Sequence, residues 1–189
     1  VTSSDFTIDN EAPAAPTSFT FSAVTTSSLV LTWAEVSGAS TYTVSSTATS
    51  SPFITSATTT SFTDLASETV YYTQVLSTDA YGNASAYSTL QSTTTLVVAP
   101  SAPTGFATSS IAATSVSFVW NDVSGETSYI LQGSTNGTDY SNLTTYSTNA
   151  TSGSLGSLTP NTHYWARLVA SNSGGDSSPS DVIELYTLA

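Results

Sequence analysis

A single histidine bounds the acid–base chemistry open to this chain, because a Ser-His-Asp arrangement needs one imidazole between a hydroxyl and a carboxylate. That histidine, His163, stands beside Tyr164 in turn-rich sequence and reads as a surface residue. Hydroxyls abound, since about two residues in five are Ser or Thr. None sits in a Gly-x-Ser-x-Gly elbow, so their number is composition rather than catalysis. Metal chemistry needs converging ligands, and the chain has no Cys, one His and no Asp-x-Asp-x-Asp-Gly loop, which excludes zinc. Asp5, Asp9 and Glu11, or Asp122 and Glu126, form a weak candidate for calcium at a domain junction, with solvated loop acids as the alternative. Glu35, Asp64, Glu68 and Asp79 fall on predicted loops or strand ends, where paired carboxylates of a glycosidase would not meet. No catalytic, cofactor or metal residue is assigned, and the expectation is a protein that is not an enzyme.

Modification and contact chemistry remain. Asn83, Asn136, Asn142 and Asn149 each open an Asn-x-Ser/Thr sequon, and three of the four crowd one region of the second half. Eight Asn in so hydroxyl-rich a chain make about that many sequons by chance, so placement carries the interest rather than number. Tyr72 and Trp165 fall on the outer face of a predicted strand and are candidates for stacking on a sugar or a partner. An outer-face aromatic also commonly covers a neighbouring strand. The one Arg, at 167, excludes an Arg-Gly-Asp motif.

The elements that must position these residues are strands. Ser, Thr, Val and 10 Tyr favour pleated, half-buried backbone, and no stretch shows helical apolar periodicity. The formal charge of −12 at pH 7 argues against nucleic acid and anionic membranes as partners. Only 7% of residues are charged, which leans toward an exported, extracellular or cell-surface protein. Without cysteine, the redox compartment cannot be read from disulfides. No signal peptide or apolar run of 18 residues is present, so no membrane insertion is expected and the chain reads as mature or excised.

The sequence repeats. Pro13, Pro16, Trp33 and Tyr42 recur as Pro100, Pro103, Trp120 and Tyr129, each 87 residues later. Leu65, Thr69, Tyr71 and Gly82 recur as Leu158, Thr162, Tyr164 and Gly175, each 93 later, so six extra residues lie between Tyr129 and Leu158. Alternation in Leu29-x-Leu31-x-Trp33 and Val116-x-Phe118-x-Trp120 gives each half a strand with one apolar face. Turn signals every 8 to 12 residues or so fit an antiparallel sandwich.

Each half thus carries an Ala-Pro start, a Trp on the second strand, a Tyr on the third and a Leu-x-x-x-Thr-x-Tyr corner. In these features the chain resembles tandem fibronectin type III domains of secreted or cell-surface proteins, with a prokaryotic source favoured. The resemblance implies an all-β fold of two immunoglobulin-like β-sandwiches, at 13–98 and 99–189, with Tyr71 and Tyr164 held by upstream backbone at the sheet crossing. Ala66-Ser67 replaces the Thr159-Pro160 of the second corner, a change that loosens the turn without abolishing it. The junction Leu96-Val-Val-Ala-Pro-Ser-Ala-Pro103 has two prolines and no glycine, which predicts a semi-rigid connection and an elongated rod.

Residues 1–12 are surplus to both sandwiches, and Phe6 and Ile8 alternate with polar neighbours as one strand would. A lone strand must pair with something. It is either the seam to a preceding domain, as between immunoglobulin-like repeats of bacterial surface proteins, or a donor strand for a neighbouring subunit. The expectation is a homopolymer: a structural subunit of a surface filament built by strand addition and end-to-end packing. The alternatives are an adhesin or carbohydrate-binding module contacting glycans or other surface proteins, and spacer modules of a larger secreted enzyme.

Overall fold

The computed structural model describes residues 10–189. The candidate assembly residues Phe6 and Ile8, and the carboxylates of Asp5 and Asp9, lie outside the described residues. All regular elements within the described residues are strands, and the chain divides into two compact units with the boundary between Val97 and Val98.

The first unit is built from β1 (Thr20–Ser22), β2 (Leu29–Thr32), β3 (Thr41–Ser46), β4 (Phe53–Thr55), β5 (Thr59–Phe62), β6 (Val70–Thr78) and β7 (Gln91–Thr94). They form two antiparallel sheets, β1-β2-β5 and β4-β3-β6-β7. Period-2 alternation turns Leu29 and Leu31 of one sheet and Tyr42, Val44 and Val75 of the other into a common core, all at most 3% exposed. Trp33 lies one residue beyond β2, edge-on to Tyr42 with ring centroids 5.5 Å apart.

The second unit repeats the plan with β8 (Ala107–Ile111), β9 (Val116–Val119), β10 (Ser128–Ser134), β11 (Ser141–Ser147), β12 (Ser152–Leu155), β13 (His163–Asn172), β14 (Gly175–Asp176) and β15 (Ile183–Tyr186). The sheets are β12-β9-β8 and β11-β10-β13, with β14 and β15 pairing β13. Val116, Phe118, Tyr129, Leu131 and Leu168 fill its core and are at most 1% exposed. Trp120 again follows its strand and packs against Tyr129 and Tyr146. The indole N–H groups of Trp33 and Trp120 are both buried without a hydrogen-bond partner.

The six extra residues of the second half lengthen the β10–β11 hairpin. β11 has seven residues where its counterpart β4 has three. A bulge leaves Leu143 without a cross-strand partner, since Leu131 pairs Thr144 and Gln132 pairs Asn142.

Candidate functional site

The Leu-x-x-x-Thr-x-Tyr corners have the geometry that the resemblance implies. The Tyr71 hydroxyl accepts the Ala66 amide at 2.8 Å, and the Tyr164 hydroxyl accepts the Thr159 amide at 3.1 Å. Leu65 is buried beneath the first corner, and Leu158 packs half-buried against the second core. The Ala66-Ser67 corner makes the shorter of the two bonds, so the altered turn has not opened it. The third-strand tyrosines also pin loops. The Tyr42 hydroxyl accepts the Val36 amide at 2.9 Å, and the Tyr129 hydroxyl accepts the Val123 amide at 2.7 Å and donates to Asp122 Oδ1 at 2.9 Å. Burial pushes the Tyr129 pKa up to about 12, helped by the hydrogen bond to Asp122 and the negative charge of Glu126 and Asp122, against the lowering effect of the Val123 amide.

Asp122 and Glu126 are therefore engaged within the fold. Glu126 is 6% exposed and its Oε1 accepts the Asn149 amide at 2.8 Å, which ties the β9–β10 loop to the β11–β12 turn. Glu126 thus departs from the picture of a solvated loop acid, because its carboxylate supplies an acceptor that the turn backbone would otherwise lack, whereas Asp122 stays exposed. No group of three or more His, Cys, Asp or Glu side chains suited to a metal ion occurs among the described residues.

His163 is corrected in the same way. Rather than standing in a turn on the surface it opens β13, with its ring 3.8 Å from the Trp165 centroid and 4.1 Å from that of Tyr186. Its Nε2 lies 3.3 Å from Glu184 Oε2. Its neighbours are thus two rings and a carboxylate. Trp165 faces outward as its alternation requires, yet it is half-buried rather than open to a partner. The Asn136–Gly137 turn lies on its indole so closely that a Cβ on Gly137, at φ +76°, would stand 3.1 Å from the ring. Arg167, next on that face, lies 4.1 Å over the Tyr140 ring and donates from Nε to Gln132 Oε1 at 2.7 Å. The hairpin insertion therefore covers the outer aromatic of the second unit. Tyr72, its counterpart in the first, is 45% exposed beside Leu90 in an open groove of about 440 Å³.

The four sequons differ in how their amide nitrogens are held. Asn83 Nδ2 donates to Asp79 Oδ2 at 2.8 Å, and Asn136 Nδ2 donates to Asp139 Oδ2 at 2.7 Å. At Asp79 desolvation works to raise the pKa, but hydrogen bonds from the Asn83 amides and from the Tyr81 and Gly82 backbone outweigh it and hold the carboxyl below its usual range. Asn142 and Asn149 are exposed. Asn142 accepts Gln132 Nε2 through its oxygen at 2.9 Å, which leaves its nitrogen facing outward.

One set of functional side chains went unread in the sequence. Where the last strand of each unit is irregular, hydroxyls replace backbone partners. Val75 N donates to Ser88 Oγ at 3.1 Å and Leu168 N to Ser180 Oγ at 2.9 Å. Ser77 N and Ala170 N donate likewise to Ser85 and Ser177 at 3.0 Å. Buried Thr95 accepts the Thr69 amide and donates to the Ala66 carbonyl, and Thr187 repeats both bonds with Thr162 and Thr159. These pairs stand 92 residues apart rather than 93, a one-residue step after Gly82 and Gly175 that an offset search resolves.

Between β11 and β12 the second sandwich is open on its flank. A hollow of about 310 Å³ there is walled by Gly133, Leu143, Leu155, Leu158 and Tyr164, with Asp139 on its rim. A small apolar void shares those five walls and reaches Phe118 and Leu185 in the core. The space that a side chain at Gly133 would fill is taken by Leu143.

Known proteins share this geometry at the level of the fold. No protein-family model matches the sequence, and the search of curated proteins finds no match. Among solved structures, the FN1–FN3 domains of chicken CNTN1 superpose with a TM-score of 0.53 at 20% identity, covering 96% of this chain and 70% of that one. A two-domain fibronectin type III segment of chicken tenascin gives 0.44 at 19% identity, covering 91% and 99%. The chain has the fold of tandem fibronectin type III β-sandwiches.

Proposed function

We propose that this tandem of fibronectin type III folds is a non-enzymatic structural subunit of an extracellular surface assembly, joined to further copies by strand addition. Domains of this fold are generally extracellular structural or adhesion modules. The observation that carries the reading is that both sheets of the first sandwich are formed by strands lying between Thr20 and Thr94. A segment with the alternation of Phe6-x-Ile8 would gain both backbone hydrogen bonds and apolar burial by adding as a strand to the edge of another copy's sheet. The test is deletion of residues 1–10 followed by electron microscopy of concentrated protein. Filaments are expected from the full chain and not from the truncated one; filaments that persist after deletion would overturn the reading.

A second reading is an adhesin module, favoured by the open groove beside Tyr72 and Leu90. A glycan array separates the two, because Tyr72→Ala abolishes binding only if that groove takes sugar.

A further inference from the structure

We propose that the outer face of the first unit's four-stranded sheet, at Tyr72, Gln74 and Ser45, is a binding site for a neutral polysaccharide. The site rests on the adhesin reading above and does not require that copies assemble.

The internal repeat supplies the comparison. Tyr72, Gln74 and Ser45 correspond to Trp165, Arg167 and Gln132, at the offsets of 93 and 87 residues that relate the two halves. In the second unit all three find partners within the chain. The Asn136–Gly137 turn lies on the Trp165 indole, and Arg167 Nε donates to Gln132 Oε1 at 2.7 Å. The first unit lacks the insertion that makes that turn, and Tyr72 is left 45% exposed. Ser45 and Gln74 stand opposite each other on β3 and β6, yet neither side chain is hydrogen-bonded to any described residue. A ring, an amide and a hydroxyl that the second unit covers with its own atoms are thus presented together by the first.

What stays open has the make-up of a sugar site. Residues two apart on a strand face the same way at about 7 Å spacing, so Tyr72 and Gln74 share one face. The groove that they line with Ser45 and Leu90 measures about 440 Å³, within the range of about 300–1,000 Å³ for small-ligand sites. Tyr72 offers a flat apolar ring to the C–H face of a sugar, and exposed Leu90 adds a wall. The Gln74 amide supplies two donors and an acceptor to hydroxyls at the sugar's edge. Ser46 and Thr47 are engaged elsewhere, their hydroxyls bonded to Thr73 and to the Tyr72 backbone, where they fix the strand that carries the ring. Charge selects among sugars. None of the four strands of this sheet carries an acidic or basic residue. A chain of net charge −12 repels an anionic polymer, and no cation in the groove offsets that, whereas a neutral one meets no such barrier.

Affinity electrophoresis of the full chain tests the site, through gels containing hydroxyethyl cellulose, galactomannan, soluble starch or polygalacturonate. At least one of the three neutral polymers is expected to retard the chain, and polygalacturonate is not. Tyr72→Ala should weaken that binding by about tenfold or more and Gln74→Leu several-fold, with circular dichroism confirming that each variant is folded. Tyr186→Ala, at an exposed tyrosine outside the groove, should change nothing. Retardation that survives both Tyr72→Ala and Gln74→Leu would overturn the site and leave the adhesin reading standing. Retardation by none of the neutral polymers would overturn both. Polygalacturonate bound as tightly as a neutral polymer sinks the ligand class, and self-association lost in Tyr72→Ala without any sugar binding gives the face to a second copy instead.

Discussion

Tyr129 has its hydroxyl in a fully buried position between the Val123 amide and the Asp122 carboxylate, with its pKa pushed up to about 12. A tyrosine in the unfolded chain ionises near 10. Between pH 10 and 12 the unfolded state therefore sheds a proton that the folded state keeps, and stability must fall across that window. The contribution is intact below pH 10 and gone above 12. Urea midpoints measured through this range are expected to decline, and Tyr129→Phe should flatten part of that decline. The same substitution should lower the neutral-pH stability of the second unit by about 2 kcal/mol, since a buried amide and a carboxylate each lose a partner. Tyr71→Phe at the more exposed first corner should cost only about 1 kcal/mol. The positions of these tyrosines were legible because they recur at fixed offsets. Their second bonds were not, because the fold of a loop such as 121–127 decides which backbone amide meets the hydroxyl.

The last strand of each sandwich is held by side chains where the backbone ladder lapses. Thr95→Val and Thr187→Val keep shape and remove a hydroxyl that both accepts and donates, so each should cost about 1–3 kcal/mol in thermal or urea unfolding. A serine or threonine on an exposed strand face, such as Ser92, should be neutral to the same exchange within about 0.5 kcal/mol. Composition hid this distinction. In a chain so rich in hydroxyls nothing local separates Ser88 from Ser92; only the shared 92-residue spacing does. The hairpin insertion was legible as six extra residues, whereas its effect on Trp165 was not, since Gly137 reaches that ring only through the turn the insertion makes. The sequons follow the same logic. If glycan is transferred to the folded chain, site-resolved mass spectrometry is expected to find Asn149 and Asn142 occupied ahead of Asn83 and Asn136, whose nitrogens are held by carboxylates.

At the scale of the whole molecule, 13 acidic groups against one Arg make every copy repel every other. The assembly proposed above must overcome that field, and screening it should help. Assembly is therefore expected to quicken and to need less protein as salt is raised from about 0.01 to 0.15 M, where the Debye length falls from about 30 to 8 Å. Light scattering across that range checks it, and slower assembly at higher salt would point instead to charge attraction around Arg167. The all-β class and the two-sandwich plan were readable from alternation and repeat, because period and spacing report burial directly. The flank of the second unit was not, because a hollow arises where Gly133 and a bulge coincide on neighbouring strands.

The dry, unpartnered indoles give each unit its own optical label. Trp33 is the sole tryptophan of the first sandwich, and Trp120 shares the second only with half-covered Trp165 beside His163. Emission from an indole with no acceptor nearby shifts sharply when water arrives. Loss of order in one half can thus be followed while the other stays silent, and Trp120→Phe with Trp165→Phe would leave a chain that reports on its first half alone.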